Sequence, residues 1–228
     1  MCIVCNWNSG EEKIDLNIEK LDCRGCKKVT AIPKLPNLKE LNCSCCTALT
    51  NIPFMRELKI LICEFCTALT NIPVLPKLKK LYCGWCTNFT SIPKFSNLEE
   101  LHCSYTIVTS IPVLPKLENL NCRYCTNLTA IPLLPSLRKL FCWGCTSLTS
   151  IPVMGEQINI SCLGCKWFPE CANFESNIKS LYRCQAIFKR KLVAKKLERA
   201  IPAITEIYYS PGCKGAYLAE KSFVVKLK

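Results

Sequence analysis

From residue 21 onward, apolar side chains return at the same places about every twenty residues. LDCRGCKKVTAIPKLPNLKE (21–40), LNCSCCTALTNIPFMRELKI (41–60), LICEFCTALTNIPVLPKLKK (61–80) and LYCGWCTNFTSIPKFSNLEE (81–100) align without a gap. LHCSYTIVTSIPVLPKLEN (101–119) is one residue short, with Thr106 about where a second cysteine belongs. LNCRYCTNLTAIPLLPSLRK (120–139) and LFCWGCTSLTSIPVMGEQIN (140–159) follow, and the fragment ISCLGCKWFPEC closes the array at Cys171. The unit reads LxxLxCxxCxxLTxIPxLP. Seven units and a fragment predict a solenoid in which each unit buries its apolar side only against its neighbours.

In the fourth unit the pattern points Leu78, Leu81, Cys83, Cys86, Phe89, Ile92 and Phe95 inward. A short strand, about 80–83, stacks in parallel on its neighbours. The return side reads IPxLP, and two prolines in four residues exclude a regular helix there. They favour an extended, polyproline-like run. The threonine of each LT pair is expected to satisfy backbone groups at the turn.

The unit resembles the leucine-rich repeat, LxxLxLxxN/CxL. The IPxLP return occurs in short leucine-rich repeats of bacterial effectors. With cysteine in both places the unit is more similar to repeat proteins of giant amoeba-infecting DNA viruses of the Marseillevirus type, as is the tail IYYSPGCKGAYLAEKSF. The resemblance implies a non-enzymatic recognition module or scaffold acting in an infected cell. The host or viral protein that it binds would sit on the concave strand face. The array divides the chain into an N-terminal cap (1–20), the repeats (21–171) and a basic module (172–228).

That last module changes the pattern. In NFESNIKSLYRCQAIFKRKLVAKKLERAI, apolar residues at Ile178, Leu181, Tyr182, Ile187, Phe188, Leu192, Val193 and Leu197 have helical spacing. Lys189, Arg190, Lys191, Lys195, Lys196 and Arg199 make the rest of the segment strongly basic. Four uses fit: a cap on the open end of the solenoid, a nuclear-import or nucleic-acid patch, a membrane-surface helix, or a partial calmodulin-binding motif. Charge supports the distinction between array and module. Of the net +13, residues 1–165 hold 17 Lys/Arg against 12 Asp/Glu, and residues 166–228 hold 13 against 5. DNA or RNA binding through this tail is the alternative function.

The 21 cysteines need a separate reading. No secretory leader is recognisable at the start, and no apolar run is long enough to span a bilayer. The expected setting is a reducing intracellular compartment, cytoplasm or nucleus, or packaging in a virion. One column (Cys23, Cys43, Cys63, Cys83, Cys103, Cys122, Cys142, Cys162) takes an inward leucine position. A second (Cys26, Cys46, Cys66, Cys86, Cys125, Cys145, Cys165) takes the position of the repeat asparagine. Free thiols there act as small buried hydrophobes with a weak donor. Stacked strands about 4.8 Å apart hold equivalent Cβ atoms farther apart than the ~3.8 Å typical of disulfides. Cys2, Cys5, Cys45, Cys171, Cys184 and Cys213 fall outside the columns. A capping metal or disulfide site using Cys162, Cys165 and Cys171 stays open; otherwise no metal or cofactor is called for.

Candidate binding residues are aromatic. Phe65, Trp85, Tyr105 and Tyr124 stand two residues after the first cysteine in successive units. Tyr82, His102 and Phe141 occupy the outward position between leucine and cysteine, with Trp143 beside them. Such a cluster either contacts a partner or stacks on itself to seal the strand-to-turn edge. A single histidine without clustered carboxylates offers no catalytic constellation, and no enzyme is expected.

Overall fold

The computed structural model describes residues 2–8, 15–153 and 158–165, together with 182, 185–187, 189–191, 193–196 and 199. Two compact units are distinguished, Met1–Tyr182 and Arg183–Lys228. The first opens with helix α1 (Ile3–Asn8). Eight strands follow: β1 (Lys20–Asp22), β2 (Glu40–Asn42), β3 (Ile60–Ile62), β4 (Lys80–Tyr82), β5 (Glu100–His102), β6 (Asn119–Asn121), β7 (Lys139–Phe141) and β8 (Asn159–Ser161). They form one parallel sheet in chain order. The fold is a leucine-rich-repeat-type solenoid, as the periodicity predicts.

Register follows the repeat. Leu61 pairs with Leu81, Leu81 with Leu101, and Leu101 with Leu120 across the missing residue of the fifth unit. That residue is lost from the turn after Thr106, where Val108 takes the buried place that Phe89 fills one unit earlier. The central residue of each strand, leucine in β1 to β7 and Ile160 in β8, is buried and its two neighbours face outward. All seven expected inward residues of the fourth unit are buried. The return side carries no regular helix or strand in units one to four. Its prolines donate no hydrogen bond, and side chains of the next unit reach their carbonyls: Asn97 Nδ2 to Pro76 O at 2.8 Å and Ser136 Oγ to Pro115 O at 2.8 Å. Phe54, Val74, Val113, Leu133 and Val153, the residues that follow IP, are exposed apolar side chains there, a series interrupted by the exposed Lys94.

The CxxC segment closes as a tight turn, with the N–H of Cys66 donating to Cys63 O and that of Cys125 to Cys122 O. The second cysteine then takes over the asparagine role. Cys46 Sγ donates to Cys23 O, Cys66 to Cys43 O, Cys86 to Cys63 O, Cys125 to Cys103 O, Cys145 to Cys122 O and Cys165 to Cys142 O, at 2.9–3.3 Å. Each of these bonds joins one unit to the one before. In the short fifth unit Thr106 Oγ1 instead donates to Cys103 O of its own unit, at 2.7 Å. Two of the LT threonines reach backbone groups, as expected, and do so across units: Thr129 and Thr149 Oγ1 make exposed 3.4 Å contacts to the Thr109 and Thr129 carbonyls of the preceding units.

Column-one thiols lie deeper, and burial pushes the Cys83 thiol well above the ordinary range. Cys83→Ser should therefore cost about 1–3 kcal/mol by burying a hydroxyl without an assured partner. Cys45 is exposed, and Cys45→Ser should stay within about 0.5 kcal/mol of the parent. Urea denaturation measures both; equal losses would count against this division of the thiols.

In the second unit the described residues from Gln185 to Arg199 are helical. Lys189, Arg190, Lys191, Lys195, Lys196 and Arg199 are all exposed. Helix here is what the apolar spacing predicts; of the apolar positions read there, Tyr182, Ile187 and Val193 are described, and Tyr182 is half-buried. Ile187 and Val193 are each more than half exposed. Ile178, Leu181, Phe188, Leu192 and Leu197 lie outside the described residues.

Candidate functional site

The CxxC turn dictates where the aromatic column stands. Its third residue takes a left-handed backbone, with φ of 59° at Phe65, 60° at Trp85, 58° at Tyr105 and 55° at Tyr124. Gly25, Gly144 and Gly164 occupy the same turn position at 73–74°. The ladder residues thus lie in the turns just past the strands rather than on them, which sequence spacing did not distinguish. Bulky residues rarely adopt this conformation, which costs roughly 1–2 kcal/mol at each. Two interactions offset it. The N–H of Phe65 donates to Gly84 O, that of Trp85 to Ser104 O, that of Tyr105 to Arg123 O and that of Tyr124 to Trp143 O, at 2.7–2.9 Å. These bonds carry the inter-unit ladder beyond the strands.

The second interaction is stacking. Phe65 and Trp85 lie 5.5 Å apart at 8°, Trp85 and Tyr105 3.8 Å apart at 11°, and Tyr105 and Tyr124 4.5 Å apart at 18°. Trp143, which precedes the turn glycine of its unit, tilts against Tyr124 at 5.6 Å. Gly144 makes room for this arrangement: a Cβ there would stand 2.6 Å from Tyr124 Cδ1. The rings stack on one another, yet Phe65, Trp85 and Trp143 remain about 40 % exposed. Self-stacking and an outward surface coexist.

Beside the rings lies a groove of about 280 Å³, lined by Glu64, Trp85, His102, Asn121, Arg123 and Tyr124 among others. The structure brings His102 into this groove together with Trp85, Tyr105, Tyr124 and Trp143. Tyr82 meets His102 edge to face at 4.8 Å, and His102 Nε2 lies 3.1 Å from Glu100 Oε1. Desolvation, with the Glu100 carboxylate beside it and hydrogen-bonded to it, pushes the Tyr82 phenol up to about 12. The Arg123 guanidinium covers the Phe141 ring at 4.8 Å. Its Nε is buried without a hydrogen-bond partner among the described residues. The sequence does not single out Arg123; its position between Phe141 and the ladder follows from the parallel register.

A second convergence was not foreseen. The sulfurs of Cys2, Cys5 and Cys26 lie within 4.8 Å of one another. Burial, with Cys26 and Cys2 alongside, pushes the Cys5 thiol up to about 12. Hydrogen bonding from Cys5 brings Cys26 down to about 7 against the opposing desolvation. The available signal was the CxxC spacing of MCIVC in a segment without the repeat. At the other end Cys165 is engaged with Cys142 O, while Cys171, Cys184 and Cys213 lie outside the described residues.

No protein-family model and no curated protein matches the chain. No helix among the described residues is long and apolar enough to cross a membrane.

Proposed function

We propose that the chain is a non-enzymatic recognition module that binds a protein partner along the aromatic ladder and its groove. The observation that carries this reading is the stack of Phe65, Trp85, Tyr105 and Tyr124, held on strained backbone and left partly exposed, with Trp143 tilted against its end. Stacked rings present a rigid surface that loses little side-chain entropy on binding. Arg123 lines the groove and is partly exposed, so its guanidinium offers donors to a partner's carbonyl or carboxylate groups. The similarity to giant-virus repeat proteins makes a host or viral protein in an infected cell the expected partner.

The six exposed cations of the C-terminal helix favour the second reading, a polyanion such as DNA or RNA. One experiment separates the two. Proteins captured by the parent chain should be lost with Tyr105→Ala and with Arg123→Glu. They should be retained by Phe54→Ala on the return side and by charge reversal at Lys189, Arg190 and Lys191. Loss on charge reversal alone, with binding that weakens steeply as salt rises, would move the function to the basic helix.

A further inference from the structure

The column-two thiols have one task throughout the array, which is to donate to a carbonyl of the preceding unit. Cys26 belongs to the first unit, and no repeat precedes it. Its sulfur meets Cys2 and Cys5, at the start of the chain, instead. We propose that Cys2, Cys5 and Cys26 form a three-thiolate site for a soft divalent cation of the zinc class, with the fourth position open to water.

The geometry suits the ion. Thiolates bind zinc at about 2.3 Å, which in a tetrahedral arrangement sets the sulfurs roughly 3.8 Å apart. The three sulfurs already lie within 4.8 Å of one another, and side-chain rotation of about 1 Å closes the difference. Cys5 is buried while Cys2 and Cys26 are partly exposed, so an ion has an inner anchor and a path from solvent. Each ligating thiol releases its proton on binding, and affinity therefore rises with pH.

The site also answers a structural need. Terminal units of a solenoid require a cap. The cap here includes α1, a six-residue helix, far below the length that is stable alone. Among its described side chains, Val4 and Cys5 are buried. A cation shared by Cys2, Cys5 and Cys26 would fasten the cap to the first unit where the inter-unit thiol bonds end.

The test uses the full chain, kept reduced, loaded with Zn²⁺ and examined by native mass spectrometry and by competition with a chromophoric chelator. The parent should hold one zinc and melt at a higher temperature with added Zn²⁺. Cys2→Ala and Cys26→Ala should each weaken zinc by at least about a hundredfold, the upper loss seen for supporting residues of metal sites. Cys45→Ala, at an exposed thiol outside the cluster, should leave it unchanged. Should Cys26→Ala fail to fold, Cys2→Ala, at a partly exposed position, carries the test. A zinc-free parent, zinc unaffected by the cluster variants, or a disulfide within the cluster found by peptide mapping would overturn the proposal.

Discussion

Phe89→Ala should destabilise the protein by about 3–5 kcal/mol, the range for deleting a buried aromatic side chain. Phe89 is among the largest fully buried residues. It stands in a column otherwise filled by Val29, Leu49, Leu69, Val108, Leu128 and Leu148, all buried. The next unit contributes the small Val108 and has a turn one residue shorter. The large ring of one unit is thus set beside the small side chain of the next. Deleting the ring leaves a cavity next to a unit that has nothing longer to fill it. In a solenoid each unit is stabilised through its neighbours, so the loss falls on the interface between units four and five. Urea denaturation followed by Trp fluorescence should show it. Phe54→Ala, at a return-side position 57 % exposed, should change stability by no more than about 0.5 kcal/mol. Similar losses in the two variants would contradict the inward and outward assignment of the repeat.

That assignment was legible in the sequence because repetition amplifies a weak signal. One Leu-x-Cys triplet does not define a strand, but leucines at 21, 41, 61, 81, 101, 120 and 140 can stack only in parallel register. The prolines of IPxLP likewise excluded a helical return on local grounds. Features that depend on backbone angle or on non-periodic contacts were less legible. The left-handed turn at Phe65, Trp85, Tyr105 and Tyr124 was foreshadowed only by Gly25, Gly144 and Gly164 in the same column, since glycine favours positive φ. The meeting of Cys2 and Cys5 with Cys26 joins residues more than twenty positions apart through a segment without the repeat. In the C-terminal segment the apolar spacing was legible as a helix, while the exposure of Ile187 and Val193 was not.

The ladder itself yields the second large effect, and its design separates binding from stability. Trp85→Ala should weaken a ladder-bound partner by more than ~2 kcal/mol, the scale of a truncated hot spot. That corresponds to about thirtyfold in Kd. Its stability cost should be smaller than that of Phe89→Ala, because Trp85 is 41 % exposed and its packing is largely the two stacked neighbours. Each aromatic pair contributes about 0.5–1.5 kcal/mol beyond area burial. Trp85→Gly refines the test. It removes the same ring but accepts φ near 60° without the roughly 1 kcal/mol penalty of a non-glycine residue. The glycine variant should therefore be more stable than the alanine variant while losing the partner equally. Alanine and glycine elsewhere in regular structure rank the other way, glycine being less stable by about 0.5–1 kcal/mol, so the inverted order reports the left-handed turn directly. Melting both variants requires no knowledge of the partner. If both lose stability on the scale of Phe89→Ala, the rings serve the fold, and the exposed cations of the C-terminal helix become the leading binding surface. If stability holds and the partner is lost, the strain at Trp85 is retained for recognition, since glycine would satisfy the turn alone.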